Sequence, residues 1–376
     1  MLAYNLNFLY PLKRILVSVT NDLVTDQRVH KVCTSLHKEG YNITLIGRLL
    51  DNRNPLNRKY KTKRMHLFFR EGFLFYAEYN IRLFFILFFS KKDILIANDL
   101  DTLLPNFLVS EIFKKKLVYD SHELFTEVPE LISRPRVQKV WIEIEKLILP
   151  KLFNCITVCN SIAEYYHKKY NLTFHIIKNV PANITPKSID LNFNRKNKKI
   201  ILYQGSLNKG RGIELMIDTM SYLENFIFVI IGSGDIEKKL KRHTIQNNIS
   251  DKIVFLGRVE PEKLKSITIH ADLGISFEED LGLNYHYALP NKIFDYIYAK
   301  VPSLVSNLPE MKNLVVTNHF GDVIKVRDPK KIAEQINNAF EDSLTYNFWK
   351  KNLNKPNEFI WEHEEHKLKS IFKELR

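Results

Sequence analysis

The chain has 376 residues, 45% of them apolar, with 56 Lys and Arg against 42 Asp and Glu, a formal net charge of +14. That length exceeds the range in which one core usually grows, so two globular domains are expected. No run of 18 uninterrupted apolar residues occurs and residues 1–12 carry no cleavage signature, so neither a bilayer span nor a leader is expected.

The charge is uneven. Residues 1–180 hold 27 Lys and Arg against 17 Asp and Glu, whereas residues 181–376 hold 29 against 25. A basic first half points to an anionic surface or substrate (membrane headgroups, a lipid phosphate or nucleic acid) or to a chain simply rich in Lys, Asn and Ile. Nucleic acid is the weakest of these, because no recognised reading module accompanies the basic residues. Cys33, Cys155 and Cys159 form no disulfide or metal pattern and read as buried apolar residues in a reducing compartment.

The β-branched run 14–20 predicts a strand, and Val29, Val32, Cys33 and Leu36 give helical spacing over 27–38, with Asp26 as cap and Arg28 facing either the cleft or solvent. Gly40 stops that helix before a strand at 42–46. Residues 65–89 are dense in Phe and Tyr and edged by Lys and Arg, a composition that suits an interfacial membrane helix as well as a core. A strand at 93–97 leads into Asn98-Asp99-Leu100-Asp101, whose two carboxylates read as helix capping for a helix at 102–113 rather than as a metal site. After a strand at 116–119, Tyr119 to Glu127 forms a loop in which His122 is the candidate for contacting a sugar or transferring group, with Asp120, Glu123 and Glu127 as neighbours. An amphipathic stretch at 137–152 and a strand at 155–158 complete this half.

Residues 182–199 read as a linker. Beyond it, strands at 199–203, 226–231, 252–255 and 272–277 alternate with helices at 212–223, 236–246 and 261–269. Alternation of this kind implies a parallel sheet in each half, with ligands held outside the carboxyl ends of the strands. Gly205-Ser206-Leu207-Asn208-Lys209-Gly210-Arg211-Gly212 follows a strand and precedes a helix: its glycines admit backbone N–H groups to a phosphate, and Lys209 and Arg211 add charge. It is neither a P-loop nor a dinucleotide fingerprint. Gly232, at the next strand end, suits a base or ribose contact, or is simply a turn. The most informative segment is Tyr287 to Tyr296, where Pro290 and Asn291 open a helix whose N-terminus favours anions. There Lys292 would meet phosphate, and Asp295, one turn on, would accept from ribose or sugar hydroxyls.

These pieces, in this order, resemble a GT-B glycosyltransferase of family 4, the type of bacterial polysaccharide and lipid-linked glycan assembly. The likeness runs through 26–29, 97–104, 119–127, 158–161, Lys178-Asn179-Val180-Pro181, 205–212, 289–302 and a terminal helix near Trp361. It implies an α/β fold of two doubly wound Rossmann-like domains facing a central cleft: an acceptor domain at 1–185 with a C-terminal helix at 357–376 packing back on it, and a donor domain at 186–356. It also implies that Arg211 and Lys292 contact the donor diphosphate and that His122 lies near the donor sugar. The family's paired glutamates are altered here. Asp295 takes the second place and Tyr287 the first, leaving a sugar-contacting carboxylate absent or supplied by Glu278 or Glu279. Ser206 stands for the usual arginine after the loop glycine, and Asn21 and Asp22 for a glycine pair.

The expectation is a retaining transfer of a hexose-type residue from a UDP- or GDP-linked sugar to a glycan or polyprenyl-linked acceptor. The residues assigned are His122, Arg211 and Lys292 for catalysis and Gly205, Lys209, Arg211, Gly232, Pro290, Asn291, Lys292 and Asp295 for the donor. No cofactor or metal is expected. Peripheral contact with an anionic membrane is expected through the first half, with work in the cytoplasm at the inner membrane face. A GT-B sugar-nucleotide epimerase and a non-catalytic binding homologue are the alternatives.

Overall fold

The computed structural model describes residues 12–24, 26–50, 56–187, 189, 191, 193, 195, 197–355 and 358–375. The absence of a leader signature, read from residues 1–12, concerns positions that, apart from Leu12, lie outside the described residues. The chain forms two compact units, Met1–Lys178 with Glu364–Arg376, and Asn179–His363.

The first unit is built on a seven-stranded sheet in the order β3-β2-β1-β4-β5-β6-β7. Its strands are β1 (Arg14–Asp22), β2 (Asn42–Arg48), β3 (Lys61–Met65), β4 (Ile94–Asn98), β5 (Lys116–Ser121), β6 (Asn154–Thr157) and β7 (Phe174–Ile176). Every pairing is parallel. Parallel strands are covered on both faces, and β4 accordingly buries all of Ile94 to Asn98. The helix Gln27–Lys38 starts at Asp26, whose carboxylate accepts the Val29 N–H at 3.0 Å. At the other end of the chain, Glu364 accepts the Lys178 N–H at 3.0 Å and Tyr41 donates to the Phe372 carbonyl at 2.8 Å, seating the last turns of the helix Trp361–Glu374 on this unit.

The second unit has a six-stranded sheet in the order β10-β9-β8-β11-β12-β13. Its strands are β8 (Lys199–Gln204), β9 (Phe226–Ile231), β10 (Ile253–Gly257), β11 (Leu273–Ser276), β12 (Ser303–Val305) and β13 (Gly321–Val323), again all parallel. Side chains alternate between faces with period two. Ile201, Tyr203, Phe228 and Ile230 enter one core with Met216 and Phe277, whereas Ile200, Leu202, Ile227 and Val229 enter the other with Tyr296. The described residues between 182 and 198 form no helix or strand.

In both sheets the order reverses beside the first strand: β1 lies between β2 and β4, and β8 between β9 and β11. Such switch points leave a crevice outside the carboxyl ends of the strands, where ligands of open α/β sheets bind. Four strands escaped the sequence reading. β3 reads Lys-Thr-Lys-Arg-Met and lies at a sheet edge, where no apolar run is required, and β7, β12 and β13 have three residues each. The helix at 100–113 starts two residues earlier than the spacing predicts, and β5 runs through Asp120 and Ser121, so the loop after it begins at His122.

Candidate functional site

At the switch point of the second unit, the backbones of Gly205 and Gly232 meet. Gly205 N–H bonds to the Ile231 carbonyl at 2.9 Å, and a Cβ on Gly232 would lie 1.8 Å from the Gly205 carbonyl oxygen. Both glycines have φ near +140°, at +138° and +141°, a region essentially closed to L side chains. The strand ends can approach each other only because neither residue has a side chain.

Beside them, Glu278 follows β11 and is fully buried. Its Oε1 lies 2.5 Å from Lys292 Nζ and 3.7 Å from Arg211 Nη1, and its Oε2 accepts from Ser276 Oγ at 2.6 Å. Lys292 is 7% exposed and its ammonium lies 4.6 Å from the centre of the Tyr203 ring, while the Arg211 guanidinium lies 5.0 Å from that of Tyr285. Burial alone would push the Glu278 carboxyl up, but the charges of Lys292 and Arg211 outweigh it and hold the group below its ordinary value. Lys292 is lowered, because burial, aided by repulsion from Arg211, exceeds the pull of Glu278. Arg327 reaches the same place from beyond β13, donating to the Phe277 carbonyl at 3.0 Å and the Glu278 carbonyl at 3.3 Å.

Pro290 caps the helix Asn291–Tyr298 in extended conformation, so Asn291, exposed, and Lys292, buried, stand in the first turn, where N–H groups lack intrahelical partners. One turn on, Asp295 accepts from Gln204 Nε2 at 2.8 Å, and Gln204 Oε1 accepts from Thr268 Oγ1 at 2.8 Å. Lys209 is exposed at the loop tip. The structure therefore gathers Gly205, Gly232, Arg211 and Lys292 about the ends of β8, β9 and β11. Lys292, read as a cation for phosphate oxygens, is buried here and paired with Glu278.

The first unit has its own cluster, at the ends of β4 and β5. Register pairs Asn98 with Asp120, which brings the segments after both strands together. His122 Nδ1 lies 3.1 Å from Asp99 Oδ2, and His122 Nε2 lies 3.3 Å from Asp120 Oδ2 without hydrogen-bond geometry. Burial would lower the imidazole, but the charges of Asp99 and Asp120 prevail and raise it well above its ordinary value. Asp120 is also gripped by Arg28, at 2.7 Å and 3.2 Å, and Arg28 donates to the Ile177 carbonyl at 2.9 Å. Arg28 is thus buried in a salt bridge and not open to solvent.

Asp99 occupies the N-cap position of the helix Leu100–Phe113 but makes no side-chain cap bond; its φ of 58° and ψ of 168° turn its carboxylate to His122 instead. Conformations of this kind cost about 1–3 kcal/mol and persist where surrounding contacts over-determine them. Asp101 is buried and accepts from Thr20 Oγ1 at 2.6 Å; burial first, and then the Asp99 charge, push its carboxyl up to about 8. The capping reading of this pair is therefore corrected. Sequence reasoning also missed Arg327, Gln204 and the central position of Glu278. Only for Glu278 was there a signal, its place just past the strand read at 272–277, as a stand-in for the missing glutamate.

Residues 186–355 match the family described as glycosyl transferases group 1. An uncharacterized glycosyltransferase of Methanocaldococcus jannaschii is 26% identical over 205 residues, covering 50% of each chain, so the match spans about half the length of this curated relative. Among solved structures, sucrose-phosphate synthase from Thermosynechococcus elongatus superposes with a TM-score of 0.79 at 14% identity, over 96% of this chain and 99% of that one. Anabaena HepE, solved in complex with UDP-glucose, superposes with a TM-score of 0.75 at 12% identity, over 96% of this chain and 100% of that one. At these identities the likeness establishes the fold, which is GT-B: two Rossmann-like α/β units.

Proposed function

We propose that this chain, whose residues 186–355 match the glycosyl transferases group 1 family, is a retaining, family 4-type hexosyltransferase that uses a UDP- or GDP-linked sugar. The observation that carries the reading is the convergence of Arg211 and Lys292 on Glu278 beside the N-terminus of the Asn291–Tyr298 helix. In the transfer, the bond from the anomeric carbon to the diphosphate oxygen breaks, a bond to the acceptor oxygen forms, and the acceptor loses its proton. Negative charge accumulates on the departing diphosphate. Fixed cations and helix N–H groups stabilise that charge without reorganising at the moment of reaction, and no metal ion is assigned. Gly205, Lys209, Gly232, Pro290 and Asn291 line the donor's approach, and Asp295 accepts from its ribose or sugar hydroxyls.

His122 is assigned to the donor sugar. Its ring lies between Asp99 and Asp120, whose charges favour the protonated, hydrogen-bond-donating form, which suits orienting hydroxyls better than removing a proton. The acceptor is a glycan or a polyprenyl-linked glycan of cell-surface polysaccharide assembly, which sets the reaction in the cytoplasm at the inner face of the membrane. Support from known proteins is the family match and the UDP-glucose complex of HepE.

The test is release of nucleotide diphosphate from a panel of UDP- and GDP-sugars in the presence of lipid extracts, comparing wild type with Arg211→Ala. Release from one donor, reduced about 100-fold in the variant, is expected. Donor isomerisation without acceptor would select an epimerase instead, and donor binding with no release under any acceptor would select a non-catalytic homologue.

A further inference from the structure

Helix Gly72–Phe89 has 18 residues, yet buries only Phe75, Tyr79, Leu83 and Leu87. By length and composition it could cross a bilayer, but the buried residues tie it to the first unit: the Tyr79 hydroxyl donates to the Val19 carbonyl of β1 at 2.6 Å. The opposite side is apolar as well. Phe73 is 72% exposed, Ile81 60%, Phe85 53% and Phe89 78%. At the C-terminal end, Phe88 meets Phe113 with ring centres 5.1 Å apart, so the exposed Ile112 and Phe113 of the helix Leu100–Phe113 extend the same surface.

Cations border it. Exposed Arg70 precedes the helix, Lys91 follows it, and Lys114, 3.3 Å from Glu111 Oε2, follows the neighbouring helix. Lys92 lies 3.7 Å from the centre of the Phe113 ring and donates to the Phe88 carbonyl at 2.9 Å. Glu78, on the helix itself, is neutralised by Arg82 at 2.7 Å and by the N–H groups of Phe68 and Phe69 at 3.0 Å. A face of exposed rings bordered by cations matches an apolar layer edged by anions. A second copy of this half, with 27 Lys and Arg against 17 Asp and Glu, would be repelled. An anionic bilayer answers both features, with rings at the acyl boundary and cations at the headgroups.

We propose that the Gly72–Phe89 helix, with the adjoining end of Leu100–Phe113, is an in-plane docking surface for an anionic lipid bilayer. This inference stands apart from the sugar chemistry and is tested without it. The full chain is sedimented with vesicles of phosphatidylcholine alone and of phosphatidylcholine mixed with phosphatidylglycerol. Wild type is expected to partition into the mixed vesicles only, more weakly as salt rises. Lys91→Glu and Lys114→Glu should each weaken partitioning roughly fivefold or more, and Phe85→Ser with Phe89→Ser by more than tenfold, with unchanged circular dichroism and melting. Equal partitioning of the variants and wild type, no partitioning of wild type, or a wild-type dimer that these substitutions dissociate would each overturn the proposal.

Discussion

Asp99 holds His122 twice: one carboxylate oxygen accepts the His122 backbone N–H at 2.8 Å, and the other lies 3.1 Å from Nδ1. The strained backbone of Asp99 is what aims both oxygens at one residue. Asp99→Asn keeps the shape and removes the charge. The His122 titration, followed by NMR, should move to lower pH, and kcat should drop with little change in donor KM. The sign for stability follows from the raised imidazole: its contribution is complete below the unfolded value near 6.5 and is lost as pH rises through the folded value. The variant should therefore lose less stability on the alkaline side. An unchanged titration would remove Asp99 from this role.

Lys292 and Glu278 are a buried pair, so breaking it from one side leaves an uncompensated charge. Lys292→Ala should cost about 3–5 kcal/mol in denaturant unfolding, in addition to any loss of turnover. Combining Lys292→Met with Glu278→Gln should restore most of that stability while donor turnover stays absent. Recovery of turnover in the double variant would mean that Lys292 serves the fold alone.

Gly232→Ala should be far more damaging than Gly205→Ala. A methyl on Gly232 would lie 1.8 Å from the Gly205 carbonyl oxygen, whereas one on Gly205 would lie 3.4 Å from Lys292 Cε. We expect a loss of about 3 kcal/mol or more for Gly232→Ala, and about 1–3 kcal/mol for Gly205→Ala from its φ. Equal unfolding midpoints for the two would contradict the close approach of the two strand ends.

Asp101, with its carboxyl pushed up to about 8, binds a proton in the folded chain that an unfolded aspartate releases near 4. Between those values unfolding free energy should fall as pH rises, by up to about 1.4 kcal/mol per pH unit from this group. Asp101→Asn should flatten that slope and be relatively more stable at pH 8 than at pH 5. Parallel pH curves for variant and wild type would show that Asp101 is ionised in the fold.

What the sequence alone determined is whatever rests on local periodicity and local stereochemistry. The apolar runs of β1, β4, β8 and β9, the 3.6-residue spacing of Val29, Val32, Cys33 and Leu36, and a helix start marked by Pro290 are properties of neighbouring residues. From them the parallel alternation, and with it the two α/β units, could be read. The tertiary structure decided which charges meet. Glu278 finds Lys292 and Arg211, and Asp120 finds Arg28 and His122, because parallel register brings separate strand ends to one edge, a relation that no local pattern encodes. It also decided which rings of the 72–89 helix turn inward. With apolar residues on both sides of Glu78, Asn80 and Arg82, the sequence marks no single core face, and packing against β1 and the Leu100–Phe113 helix selects Phe75, Tyr79, Leu83 and Leu87 for the core.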